Sequence, residues 1–185
     1  MLHGIDVSAY QSSAYDTDGL SFVFVKATEG RSYVNPKLAA QTKRGRDAGL
    51  VVGFYHFLWP GDLTAQAEYF LAHAPEKAGD ILAVDWETTG DGTHASNAEK
   101  DAFIRKVKAL RPGYRVILYT NRNYWLTVDR TSYAGDGLWI ADYVTAGRPR
   151  IKAGWRFHQY TSDPHDKNVA NFATKDALRQ WAGDA

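Results

Sequence analysis

Short apolar runs alternate with segments of helical period along the whole chain. The runs His3–Val7, Phe22–Lys26, Val51–Phe57, Ile81–Trp86, Arg115–Thr120, Leu138–Ala141 and Arg156–Tyr160 are predicted strands. Several of them are apolar almost throughout, which is the pattern of strands covered on both faces in a parallel sheet. The segments between them carry helix signals. Asn35-Pro36 offers an N-cap and a first-turn proline, and Gly49 a stop, for a helix holding Leu38, Ala39 and Ala48. Ser96-Asn-Ala-Glu99 is a capping box. It opens a helix whose Phe103, Val107 and Leu110 recur at helical spacing, and Pro112-Gly113 ends it. Further helices are expected from about Thr64 to His73 and from about Thr174 to Trp181.

Repeated strand-then-helix units imply parallel strands joined by right-handed crossovers. A full eight-fold barrel typically needs about 250 residues, and this chain has 185. Helical spacers also thin out after residue 127. The expected fold is therefore α/β, a shortened and modified (β/α) TIM-like barrel with about five β/α units followed by strands with little helix. No repeat, linker or low-complexity tract divides the chain, so residues 1–185 read as a single domain. An open doubly wound sheet is the alternative, but no glycine-rich phosphate loop follows the first strand.

Carboxylates interrupt these apolar strands at particular places. Ile81-Leu-Ala-Val-Asp-Trp-Glu87 ends in two acids two residues apart. Side chains alternate along a strand, so Asp85 and Glu87 share a face and Trp86 points the other way. Two charges on one semi-apolar wall are costly, so one pKa should rise and the other stay low, the condition for a general acid near neutral pH. Asp6 repeats the pattern at the end of the first strand. A lone acid there reads first as a cap or loop acid; the pair after four apolar residues reads as a site. Polar-tipped residues mark other strand ends: Tyr55 and His56, Tyr119, Trp139 with Asp142 and Tyr143, and Gln159 with Tyr160. Tyr and Trp offer a flat face and a hydrogen-bonding edge, which suits a sugar ring.

Composition narrows the chemistry further. With 22 Lys+Arg against 21 Asp+Glu, the net charge of +1 argues against a nucleic-acid binder. Aromatics at 14% argue against disorder. Without cysteine, thiolate metal sites and cysteine nucleophiles are excluded. The six histidines are dispersed, with no HExxH, so no metal is expected, and His56 and His158 read as hydrogen-bonded barrel residues. No GxSxG elbow or phosphate loop appears, and no apolar run approaches the about 18–20 residues that span a bilayer. The first residues, MLHGIDVSAYQ, lack the pattern of a signal peptide.

Taken in order, these motifs resemble the glycoside hydrolase family 25 lysozymes, or Chalaropsis-type muramidases. The resemblance rests on His3-Gly-Ile-Asp-Val-Ser8 with Gln11, Phe24-Val-Lys-Ala-Thr-Glu-Gly30, Gly53-Phe-Tyr-His-Phe57, Asp85-Trp-Glu87, Leu138-Trp-Ile-Ala141, His158-Gln-Tyr-Thr-Ser162 and Asp166-Lys-Asn168. The segment Ser162-Asp-Pro-His-Asp-Lys-Asn168 departs from the family's usual closing pattern by a compressed loop. The resemblance implies a muramidase that hydrolyses the β-1,4 bond between N-acetylmuramic acid and N-acetylglucosamine, with Glu87 as general acid. Asp85, Asp6 and Asp166 would be the other acids of the catalytic groove. Tyr55, Tyr119, Trp139, Tyr143 and Gln159 are the expected substrate-binding residues. A different glycosidase, such as a chitinase, and an inactive sugar-binding barrel are the alternatives. The expected partner is the peptidoglycan glycan strand, met by a monomer without cofactor, metal, nucleic acid or membrane. A phage endolysin made in the host cytoplasm is expected, with a secreted autolysin as the alternative.

Overall fold

Among the described residues nine strands form one sheet, and all but one of them close into a barrel. The computed structural model describes residues 1–183. Its strands are β1 (Leu2–Val7), β2 (Phe22–Glu29), β3 (Tyr33–Val34), β4 (Val51–Phe57), β5 (Ile81–Asp85), β6 (Arg115–Asn121), β7 (Leu138–Ala141), β8 (Phe157–Thr161) and β9 (Lys167–Ala170). Its α-helices are α1 (Leu38–Asp47), α2 (Leu63–His73), α3 (Asn97–Leu110) and α4 (Lys175–Gly183). Parallel pairing runs from β1 through β2, β4, β5, β6 and β7 to β8. β9 lies antiparallel between β8 and β1 and closes the ring. β3 stays outside it, as the second arm of a hairpin on β2.

The period-2 alternation of the strands sorts their side chains into two cores. Val23, Val25, Phe54, Val84 and Leu118 face outward beneath the helices, against Phe70, Phe103 and Val107. Phe22, Phe24, Ile81, Ile117, Trp139 and Phe157 fill the barrel itself. That interior is narrow enough to need glycine beside its large rings. A Cβ on Gly53 would stand 2.3 Å from the Phe24 ring, and one on Gly4 would stand 2.5 Å from Phe22. Leu178, Ala182 and Trp181 of α4 join the interior core from the end where the parallel strands begin. Arg115, at the start of β6, donates to the Trp181 carbonyl there at 2.8 Å. One mouth is thereby plugged, and the other is left for chemistry.

The expected strands are present within one or two residues, apart from the longer end of β2, and several details differ. Full α-helices follow the β2–β3 hairpin, β4 and β5, while β1 reaches β2 through a loop and β6 is followed by a π-helical turn at Tyr124–Val128. The first helix begins at Leu38 rather than at Pro36, because Asn35 Oδ1 accepts the Lys37 backbone N–H at 2.9 Å in a turn before it. The capping box at Ser96 forms as expected. Leu110 is 37% exposed, and the buried stripe of α3 runs through Lys100, Phe103, Ile104 and Val107 instead. Among the described residues no helix is long and apolar enough to cross a membrane.

Candidate active site

The open mouth gathers the carboxyl ends of the parallel strands. β1 brings Asp6 there, β4 Tyr55, β6 Tyr119, β7 Trp139 and β8 Gln159, while Tyr143 lies just past β7. β5 ends at Asp85, and its continuation carries Glu87. Because β9 runs antiparallel, its beginning rather than its end reaches this mouth, and Asp166 directly precedes it. All nine expected site residues line one cavity of about 230 Å³.

The strand continues past Asp85 by two bonds, the Trp86 N–H to the Tyr119 carbonyl at 2.9 Å and the Thr120 hydroxyl to the Trp86 carbonyl at 2.8 Å. Alternation is kept across the trio. Trp86 is fully buried in the outer core, its indole N–H donating to the Ala95 carbonyl at 2.8 Å, while Asp85 and Glu87 line the cavity. Asp85 is 5% exposed and Glu87 is half-buried. Burial raises the pKa of both, so neither stays low as the sequence led us to expect, and the Glu87 charge raises Asp85 further. They titrate as a pair rather than as independent acids. Asp85 Oδ1 is buried and has no hydrogen-bond partner among the described residues.

A second pair of acids faces them. Burial pushes Asp6 up to about 7, and the Asp166 charge adds to the rise. Two amide donors act against it, Asn168 Nδ2 at 2.7 Å and Gln159 Nε2 at 2.9 Å, both on Asp6 Oδ2. Asp166 is also raised by burial, and its backbone carbonyl accepts the Asp6 N–H at 3.3 Å. The compressed closing loop therefore still sets Asp166 beside Asp6. Gln159 Oε1 accepts from the Tyr119 hydroxyl at 2.8 Å and the Tyr143 hydroxyl at 3.1 Å. Asn168 Oδ1 accepts the Trp139 indole N–H at 2.7 Å. Trp139 is 1% exposed and forms the floor, stacked on Phe24 at 4.2 Å, whereas Tyr143 is 57% exposed at the rim.

Two residues of the site stand within the motifs noted above, but the sequence assigns neither a role. Asn168 tethers Asp6 and Trp139 together, and its only signal is its spacing of two from Asp166. The other is Lys26, whose charge lowers the pKa of both Asp85 and Glu87. Lys26 Nζ is held by Glu29 at 2.6 Å, and Glu29 by the Trp59 indole N–H at 3.0 Å. The two strand-end histidines are structural. His56 lies between the Thr28 hydroxyl at 2.7 Å and Gln66 Oε1 at 3.0 Å, and burial lowers its pKa to about 4. His158 accepts the Gly147 N–H at Nδ1, which leaves Nε2–H to donate to the Asp142 carbonyl at 2.7 Å. Among the described residues no cluster of three or more His, Cys, Asp or Glu side chains is placed to hold a metal ion.

Comparison with known proteins places this architecture. The chain is 31% identical to the N,O-diacetylmuramidase of a Chalaropsis species, over 84% of this chain and 84% of that protein. It is 29% identical to a lysozyme of Streptococcus phage Cp-7, over 89% of this chain but only 52% of that protein. The fold superposes on a muramidase structure from Acremonium alcalophilum with a TM-score of 0.84, at 24% identity and full coverage of both chains. The profile of the glycosyl hydrolases family 25 matches residues 5–169, from β1 into β9. With that span covering the barrel strands that form the cavity, the chain belongs to glycosyl hydrolases family 25.

Proposed function

We propose that the chain is a peptidoglycan muramidase, and that residues 1–185 act as one catalytic domain cutting the N-acetylmuramic acid–N-acetylglucosamine bond. The observation that carries this reading is the Asp85–Glu87 pair, two acids with raised pKa on one wall of an aromatic-lined cavity. Glu87, the more accessible of the two, protonates the leaving glycosidic oxygen. Asp85 lines the same cavity, where its carboxylate accepts the N–H of the substrate's 2-acetamido group. That hydrogen bond favours the ionised form of Asp85, so the pair's shared proton moves to Glu87, where the reaction needs it. The same contact orients the acetamido carbonyl oxygen to attack the anomeric carbon as the aglycone leaves, and water later opens the cyclic intermediate. Asp6 and Asp166 add negative potential beneath the oxocarbenium-like transition state.

Two displacements at one carbon give net retention. Proton NMR of the first-formed product should show the β anomer of the new muramic acid reducing end. An α anomer overturns the acetamido route, and an N-acetylglucosamine reducing end overturns the muramidase reading. The single chain that supplies every wall of the cavity supports action as a monomer on the glycan strand. The similarity to a phage lysozyme supports an endolysin, made in the host cytoplasm and acting on the cell wall.

Lys26→Met should move the pH–rate profile to higher pH. The ammonium favours the ionised carboxyls and so holds both pKa values down; without it both rise, and the alkaline limb, where Glu87 loses its proton, shifts upward. Lys26→Arg, which keeps the charge, should restore most of the original profile. A profile of Lys26→Met that superposes on the wild type, or moves down, contradicts this electrostatic role.

A further inference from the structure

The cavity does not stop at Glu87. A second recess, of about 440 Å³, shares Glu87, Tyr119 and Tyr143 with it and runs on past Arg122 and Arg150. The two arginines are in different electrostatic states. Arg150 is fully engaged with Asp142: Nη2 meets Oδ1 at 2.6 Å, Nε meets Oδ2 at 3.1 Å, and its backbone N–H reaches Oδ2 at 2.8 Å. Its charge is cancelled. Arg122, the first residue after β6, has no carboxylate within ion-pair distance among the described residues. Its Nε donates to the Arg150 carbonyl at 3.0 Å, which fixes the guanidinium at one corner. Neither Nη group has a hydrogen-bond partner among the described residues. A half-buried, anchored cation with no direct ion pair among the described residues, although its charge helps lower the Asp142 pKa, thus stands in a recess continuous with the catalytic cavity.

A guanidinium fork in that state is suited to a carboxylate, which it can grip with two parallel hydrogen bonds. On the muramidase reading given above, on which this step rests, the substrate supplies one. Muramic acid differs from N-acetylglucosamine by a 3-O-lactyl arm that ends in a carboxyl group or, where a stem peptide is attached, leads to the peptide's acids. Chitin has no such arm. We propose that Arg122 binds a carboxylate carried on the 3-O-lactyl arm of a muramic acid residue and thereby sets the preference for muramic-acid-containing glycan. Arg122 acts in binding and selectivity, not in proton transfer, so its effect belongs in affinity.

The test measures affinity in the Glu87→Gln background, where turnover is suppressed, with and without Arg122→Gln. Three glycans of equal length serve as probes: peptide-bearing, stripped to free lactyl acids, and a chito-oligosaccharide. Arg122→Gln should weaken one or both acid-bearing glycans about tenfold, roughly 1.4 kcal/mol, and the chito-oligosaccharide much less. Loss on the stripped glycan names the lactyl carboxylate, and loss only on the peptide-bearing one names the stem. The difference should shrink at high salt, since the contact is partly exposed. Arg122→Lys, which keeps the charge without the fork, should recover part of the affinity, separating recognition from a folding defect. Equal loss on all three probes, or none on any, overturns the proposal. A wild-type enzyme that releases no muramic acid reducing ends from cell walls would instead overturn the muramidase reading, independently of Arg122.

Discussion

Glu87→Gln should lower turnover on peptidoglycan by about 10²–10⁴-fold, the range typical of a general acid. At 1.36 kcal/mol per decade this is about 2.7–5.4 kcal/mol of lost transition-state stabilisation. The substitution keeps the shape of the side chain and removes only the proton it donates. Because Glu87 is half-buried and not enclosed, the melting temperature should barely change. A second readout tests the coupling. The Glu87 charge is one reason the Asp85 pKa is raised, so in the variant Asp85 should titrate at lower pH, visible by carboxyl carbon NMR. If the variant clears cell walls at near wild-type rate, Glu87 is not the acid. If it is inactive but Asp85 does not move, the two groups are not the coupled pair described above.

The assignment of the paired acids is legible in sequence because it is local. Asp85 and Glu87 sit on one continuous strand, so period-2 alternation alone puts them on one wall. What holds the other wall is not local. Gln159 reaches Asp6 across 153 residues and Asn168 reaches it across 162, and no pattern within a short window encodes either contact. Lys26 escapes notice for a related reason. In the sequence it is one polar break in an apolar strand, and its influence on Asp85 and Glu87 appears only when β2 and β5 flank β4 in the barrel.

The fold divides the same way. β2, β4, β5 and β6 are buried on both faces, so their apolar runs announce them. β9 has four residues, one of them an exposed lysine, and its antiparallel course depends on partners at both ends of the chain. The π-helical turn at Tyr124–Val128, after β6, stands where the helical spacers thin out in the sequence, and no capping or periodic signal marks it. Closure by β9 matters for function, because it delivers Asp166 and Asn168 to the mouth where the parallel strands end.

Lys100→Met should be the most destabilising single change among those considered. Lysine in a helix normally reads as a surface residue, yet Lys100 is fully buried on the inner stripe of α3. Its ammonium meets Asp101 Oδ1 at 2.6 Å and Asp129 Oδ1 at 2.8 Å, donates to the Tyr133 carbonyl at 2.9 Å, and stands 5.3 Å from the Trp86 ring. Methionine fills much of the same volume but leaves two buried carboxylates without a counter-charge. Breaking a buried pair from one side costs about 3–5 kcal/mol. At about 2–4 °C per kcal/mol for a domain of this size, the melting temperature should fall by roughly 6–20 °C. Adding Asp129→Asn should recover part of the loss by removing one stranded charge, a non-additivity that a simple packing defect would not produce. A fall of only a degree or so, or no recovery in the double variant, would mean that the cluster does not hold its charges by mutual pairing. Because the cluster packs against Trp86, between Asp85 and Glu87 in the chain, activity lost on warming should track unfolding, while the pH profile at low temperature stays that of the parent.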